Sequence, residues 1–310
     1  MDPLVSVVIP VYKAEPYVAA CLESVLNQTY RKLEVIAVSD CTPDASMQIV
    51  ARYAAADPRL RVLENERNMG SMQTRERGYR EARGTFVFFL DADDTIRPQA
   101  IERLLRRQQA TGADIVAGAF VYHKRGGAQR HIPAALPYGD TAEATLRAML
   151  RGDFPLSLCA KLIRRSLLTD HTYQVFPHMI ISEDCCMLFQ LVARAARIAC
   201  IDSPVYDCTD NEASSTHQTF TLSHVENILT TRRVMCDICA PYPSLVNDLD
   251  RSVTFTVLRL YCHPFPKATL QKLIAQYGLS HYGSWRHGWK VLTLRQFVGT
   301  FISAIIKRQA

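Results

Sequence analysis

The sequence predicts an α/β fold, a mostly parallel mixed sheet flanked by helices, followed by a C-terminal helical extension. Three observations carry this. Short apolar runs alternate with segments of helical apolar spacing from residue 5 to about 124. The longest of these runs stop abruptly at polar or acidic residues, where a parallel strand would meet its loop. From about residue 222 onward the apolar spacing is mainly helical.

The first run, residues 5–11, is continuous and rich in β-branched side chains, as expected of a strand buried on both faces. Val18, Leu22, Val25 and Leu26 then fall at helical spacing within 16–26. A second buried strand over 33–38 ends at Ser39 and Asp40, and Asp44 is placed to cap a helix from 45 to about 56. Residues 60–63 make a short third strand. The turn at Asn68, Met69 and Gly70 leads into a helix carrying Arg75 and Arg77, ended by Gly84. A fourth buried strand, 86–90, stops at Asp91, Asp93 and Asp94. Pro98 opens a helix to about Gly112, and 114–122 reads as a further strand. Beyond 124 the rhythm changes to a basic turn at 124–127, a helix over 141–150, an irregular then helical stretch over 154–168, and a helix over 183–196. A boundary near residue 219 separates this part from the helical extension, 220–310.

With 310 residues, 48% hydrophobic and 21% charged, the chain can bury a sizeable core. Its net charge of +6 suits contact with phosphates or an anionic membrane face, and equally an ordinary basic protein. The basic residues are dispersed and no nucleic-acid module is present, so no nucleic-acid partner is expected. The ten cysteines are scattered. Cys185 and Cys186 are adjacent, and Cys236 with Cys239 has no second pair at zinc spacing, so buried reduced thiols are expected. Without a signal-like or membrane-spanning run, a cytoplasmic location is expected.

In open parallel sheets, ligands sit at the carboxyl ends of the strands. Two carboxylate groups fall there: Asp40 after the second strand, and Asp91, Asp93 and Asp94 after the fourth. Crowded carboxylates call for compensation, which a divalent cation shared with substrate phosphates supplies. A solvated acidic turn capping the next helix accounts for the same spacing.

The 5–11 strand, the phrase from Ser24 to Tyr30, and Asp91-Ala92-Asp93-Asp94 together resemble the family-2 glycosyltransferases of GT-A fold. Lys161 to Arg165, the Glu183-Asp184 pair opening a helix, Tyr206 and the Ser214-Ser215-Thr216 segment extend the likeness, which covers about residues 3–216. The resemblance implies a nucleotide-binding half, 1–95, and an acceptor half, 96–219. It implies that Asp40 accepts a hydrogen bond from the nucleotide base, with the backbone from Pro10 to Tyr12 and the acid Glu15 lining the same pocket. Arg75 would meet nucleotide or diphosphate; an ordinary surface arginine is its alternative. Asp93 would be the metal ligand for Mn²⁺ or Mg²⁺, with Asp91 toward the ribose or the metal. Asp184 would be the catalytic base that takes the acceptor proton in an inverting transfer. Glu183 would orient the acceptor or the helix start; without the resemblance, the pair reads as favourable charge at a helix N-terminus. One departure stands out. The family shows two acids and a glycine-serine turn after the second strand, where this chain has Ser39-Asp40-Cys41-Thr42-Pro43-Asp44, which leaves the turn geometry and the donor nucleotide open.

The implied partners are a nucleotide-sugar donor, UDP-linked first, and a glycan or lipid-linked acceptor of surface polysaccharide synthesis. In the tail, Val298, Phe301, Ile302, Ile305 and Ile306 share one helical face beside Trp285, Arg286, Trp289, Lys290, Lys307 and Arg308. That stripe suits a membrane interface, at the inner face of the cytoplasmic membrane; packing on the catalytic domain or a homodimer contact are its alternatives. Two other functions share the nucleotide-binding sheet. A nucleotidyltransferase lacks support because no glycine-rich phosphate loop follows the first strand. A non-catalytic nucleotide-sugar-binding subunit would have no need of a base at Asp184.

Overall fold

The computed structural model describes residues 2–169, 179, 181–211 and 219–292. The apolar stripe at 298–306 and the segment 214–216 lie outside these residues. β1 (Val5–Val11), β2 (Leu33–Ser39), β3 (Leu60–Glu64) and β4 (Phe86–Phe89) pair in parallel in the order β3-β2-β1-β4. β2 is buried along its whole length and β1 at all but one residue, as continuous apolar runs require. Between them run α1 (Val18–Leu26), α2 (Ser46–Ala56) and α3 (Ser71–Arg80).

β5 (Thr95–Ile96), α4 (Ala100–Thr111), β6 (Ile115–His123), β7 (Gln129–Ile132) and α5 (Ala142–Arg151) follow. The segment expected to be irregular then helical contains a strand instead, β8 (Lys161–Arg164), before a single 3-10 turn, Arg165–Leu167. Only three of its four residues are buried, too few to show a period. Its place is set by its neighbours, since it inserts antiparallel between β4 and β6. After α6 (Glu183–Arg194), β9 (Ile198–Thr209) lies parallel to β6 and antiparallel to β5. This twelve-residue strand, with a register shift beside Gly118 and Ala119, was not predicted. Its half-buried, mixed residues carry no clean alternation. The full order is β3-β2-β1-β4-β8-β6-β9-β5, with β7 beside β6.

The sheet is covered on both faces. Val5, Val7, Ile9 and Val11 pack with α1 and α4 residues such as Leu22 and Leu104, whereas Val8 faces Met72 of α3. Gly78 lets α3 lie close on β1, because a Cβ there would fall 2.4 Å from Val8 Cγ1. The second core extends from the sheet through Met149 of α5 and Leu188 of α6 to Met235 and Cys239 of α7 (Leu222–Cys239). α7, α8 (Val246–Leu260) and α9 (Lys267–Gln276) enclose a third core around Leu229, Val257 and Ile274. A 3-10 turn, Ser280–Gly283, then leads to α10 (Trp285–Val291). All ten cysteines are free; Cys41 is exposed, against the expectation of burial, because it sits in the loop after β2.

Candidate active site

The carboxyl ends of β1, β2 and β4 leave the sheet at one edge, where a cavity of about 540 Å³ opens. Pro10, Tyr12, Asp40, Arg75, Asp91 and Asp93 all line it, so six of the eight residues singled out from sequence meet there. The volume falls within the range of small-molecule and cofactor sites. Tyr12 is 44% exposed, with the Lys13 ammonium 5.3 Å from its ring centre, and forms an accessible aromatic face at the mouth.

Asp40 is buried by its own network. Its Oδ1 accepts from Asn65 Nδ2 (2.9 Å) and from the Met69 N–H (2.7 Å), and its Oδ2 from the Gly70 N–H (2.9 Å). Gly70 takes φ +86°, a left-handed conformation that suits glycine, and so presents its N–H to the carboxylate. Asp40 therefore holds the turn that starts α3 as well as bordering the cavity. The altered loop after β2 keeps a sharp turn: Cys41 sits at φ +52°, and its thiol donates to the Asn65 carbonyl at 3.0 Å. Thr42 Oγ1 accepts from the Lys13 N–H and donates to Asp44 Oδ1, joining this loop to the end of β1. Asp44 also accepts from the Ser46 N–H, but it stands one residue ahead of the N-cap expected of it, since the N-cap of α2 is Ala45.

Glu15 is placed otherwise than expected. Its carboxylate accepts from the Ala45 N–H at 3.0 Å and is not among the residues lining the cavity. The acid is used at the start of α2, where free N–H groups favour a carboxylate.

Arg75 is no surface arginine. At 5% exposure, its guanidinium lies between the two halves of the site: Nη2 donates to Asp91 Oδ1 at 2.7 Å, and Nη1 lies 3.2 Å from Asp184 Oδ1. Burial works against its charge, but Asp184, Asp91 and Glu183 outweigh burial and hold it protonated beyond its ordinary range. Among the described residues, Arg75 Nε and Nη1 and Asp184 Oδ1 have no hydrogen-bond partner although buried. Arg75 Nη1 and Asp184 Oδ1 offset each other as an ion pair without hydrogen-bond geometry, while Arg75 Nε is left without a partner.

Asp184 sits beside the cavity lining, with Oδ2 accepting from the Leu158 N–H at 3.1 Å. Its neighbour Glu183 does line the cavity and accepts from Ser71 Oγ at 3.0 Å. Burial, then the Asp184 charge, push the Glu183 carboxyl above its ordinary range.

The acidic loop is shaped by β9. The Asp91 N–H donates to Tyr206 Oη at 3.2 Å, and that hydroxyl donates to Asp94 Oδ2 at 2.8 Å. Asp94 Oδ1 accepts from the Thr209 N–H (2.7 Å), and Asp93 Oδ2 from Asn211 Nδ2 (3.0 Å). Burial, followed by the Asp91 charge, raises Asp93; the same causes with Asp93 added raise Asp94 to about 8. Asp94, 7% exposed, is thus a structural acid, while Asp91 and Asp93 face the cavity. Those two hard oxygen donors fit Mg²⁺ or Mn²⁺, which take one or two carboxylates plus substrate phosphates. Sequence reading missed the supporting polar groups Asn65, Tyr206 and Asn211. Tyr206 alone left a trace, as a resemblance at the end of the domain.

A parallel sheet whose carboxyl edge gathers an acidic loop, a buried arginine and a second acidic pair around one cavity defines the GT-A class of fold. A family model, "Glycosyl transferase family 2", matches residues 6–172, and the chain belongs to that family. It is 37% identical over 136 residues to the uncharacterized glycosyltransferase EpsJ of Bacillus subtilis (strain 168), which covers 44% of this chain and 39% of EpsJ. It is 30% identical over 148 residues to the putative teichuronic acid biosynthesis glycosyltransferase TuaG of the same organism, covering 46% of this chain and 59% of TuaG. The chain thus spans less than two thirds of either relative. A crystal structure of S. aureus TarS 1-349 in complex with UDP-GlcNAc superposes with a TM-score of 0.75 at 21% identity, covering 98% of this chain and 89% of that one, a likeness of fold.

Proposed function

We propose that this chain is an inverting glycosyltransferase that moves a sugar from a UDP-linked donor to a hydroxyl of a glycan or lipid-linked acceptor in surface polysaccharide synthesis. The observation that carries the reading is the meeting of Asp40, Asp91, Asp93, Arg75 and Glu183 around one cavity, with Asp184 joined to it through Arg75. Membership of the family supports it, as does TarS, a protein of like fold solved with UDP-GlcNAc.

In this mechanism Tyr12 and the turn held by Asp40 receive the nucleotide. The acceptor oxygen attacks the anomeric carbon, the bond from that carbon to the diphosphate breaks, and Asp184 takes the acceptor proton. Arg75 holds Asp184 in orientation through their 3.2 Å ion pair. Asp93, with Asp91, would hold Mn²⁺ or Mg²⁺, which offsets the charge of the leaving diphosphate.

A second assignment of the base is favoured by one observation: Glu183, not Asp184, lines the cavity, and burial with the Asp184 charge raises its carboxyl. Donor turnover by Asp184→Asn and Glu183→Gln separates the two. With Asp184 as base, Asp184→Asn loses about 10²–10⁴-fold in kcat while the thermal shift with UDP and Mn²⁺ persists, and Glu183→Gln retains most activity. The reverse pattern assigns the base to Glu183, and absence of turnover with every donor tried would leave only a nucleotide-sugar-binding subunit. Screening UDP, GDP, CDP and dTDP with Mn²⁺ by thermal shift identifies the nucleotide.

For the tail we propose a membrane contact through the 298–306 stripe, at the inner face of the cytoplasmic membrane. No helix among the described residues is long and apolar enough to cross a membrane. Co-sedimentation with anionic liposomes that is lost on deleting residues 296–310 supports the contact; unchanged sedimentation, or a change from dimer to monomer instead, rejects it.

A further inference from the structure

At the end of the helical extension, three elements converge that the glycosyltransferase reading does not use. Asp250 comes from α8, His281 from the Ser280–Gly283 turn and His287 from α10. One ligand atom from each lies within 4.8 Å of the other two. His287 Nε2 is 2.6 Å from Asp250 Oδ1, and the two imidazole rings lie 3.9 Å apart, centre to centre, tilted by 56°. The His287 and Asp250 side chains are 14% and 24% exposed, while His281 closes the group from the solvent side. The Tyr282 ring stands edge-on to His287, 6.1 Å between ring centres.

We propose that Asp250, His281 and His287 form a binding site for a divalent transition metal, with Zn²⁺ the ion it fits best. Two imidazoles and a carboxylate are borderline nitrogen and oxygen donors, the set that zinc accepts with three protein ligands and an open fourth position. Tetrahedral zinc places ligand atoms about 3.3 Å apart. The cluster therefore needs the exposed His281 to turn inward and the Asp250–His287 contact to open slightly, both side-chain motions. A cation shared among the three would take the place of the His287–Asp250 hydrogen bond, using one ring nitrogen of each histidine and a carboxylate oxygen. Bound there, the metal would tie α8, the turn and α10 into one unit. Those elements are otherwise joined by packing and by contacts such as Arg251 Nε to the Val291 carbonyl at 3.3 Å. The all-oxygen set at Asp91 and Asp93 prefers harder ions, so the two sites would differ in metal as well as in place.

The test uses the untagged full chain, stripped with chelator and titrated with Zn²⁺ alone, beside the variants Asp93→Asn, His281→Ala and Asp250→Asn. The wild type and Asp93→Asn should each take up one zinc per chain at this site and gain several degrees in Tm. His281→Ala, a change at an exposed side chain, should keep its circular dichroism spectrum. It should weaken zinc binding by more than the roughly 10–100-fold that loss of an outer-shell partner costs. Co²⁺ should give ligand-field absorption in the wild type and not in His281→Ala. The proposal is overturned if the wild type takes up no zinc, if uptake is lost in Asp93→Asn rather than in His281→Ala, or if His281→Ala binds as tightly as the wild type. It is equally overturned if Asp250→Asn lowers Tm by the same amount with and without zinc, which would make the group an ordinary ion pair.

Discussion

At the scale of single residues, the acidic loop depends on a few polar partners. Tyr206→Phe removes a hydroxyl that serves the Asp91 N–H and the Asp94 carboxylate at once. We expect a stability loss of about 1–3 kcal/mol, the cost of leaving buried polar groups unpaired, read as a lower midpoint in urea. Glu183 carries the opposite kind of cost. Its raised carboxyl means the folded state holds the proton more tightly than the unfolded chain, so ionisation subtracts stability as pH rises through the folded value. Glu183→Gln should therefore match the wild-type Tm near pH 4, close to the unfolded carboxyl value, and exceed it at pH 7. Equal Tm differences at both pH values would reject this account. Cys41 shows what residue identity leaves unsaid. Its departure from glycine put the turn in question, yet the loop holds φ +52° with a non-glycine residue, a modest local strain offset by its contacts.

At the scale of elements, the close seat of α3 on β1 is what carries Arg75 to the cavity. Gly78→Ala would place a methyl group 2.4 Å from Val8 Cγ1, a buried β-branched side chain with little room to turn. Overpacking of this kind costs about 1–3 kcal/mol; thermal unfolding measures it, and a fall in kcat would show the shift reaching Arg75 and, through it, Asp184. The parallel half of the sheet was legible because β1, β2 and β4 are buried on both faces and so read as unbroken apolar runs. In the antiparallel half only β6 was legible. β8 has four residues, and β9 mixes buried and half-buried positions across a register shift. The acids of the site were legible because charge at the end of an apolar strand is conspicuous. Glu15 could not be sorted from sequence, because a carboxylate at a helix start and a ligand-binding one look alike there.

At the scale of the whole molecule, the predicted division near residue 219 falls between β9 and α7, but the packing crosses it. Met235 and Cys239 of α7 lie in the same core as Met149 and Leu188, and Asp248, buried, takes Arg147 and Arg151 of α5. We propose the division as one of roles. A chain cut after 219 should then expose this apolar face and aggregate or melt well below the full chain, as light scattering and circular dichroism would reveal. A stable, monomeric 1–219 fragment would show instead two independent folding units. The ties of Asp93 and Asp94 to Tyr206, Thr209 and Asn211 span 112 to 118 positions. Contacts so far apart in sequence carry a large loop-closure cost, and none can form before Tyr206 has been synthesised. A polypeptide emerging from the ribosome could have its first four strands in place while the acidic loop still lacked its shape. On the function proposed above, donor binding at Asp91 and Asp93 would wait for β9, so a half-made copy would hold no activated sugar.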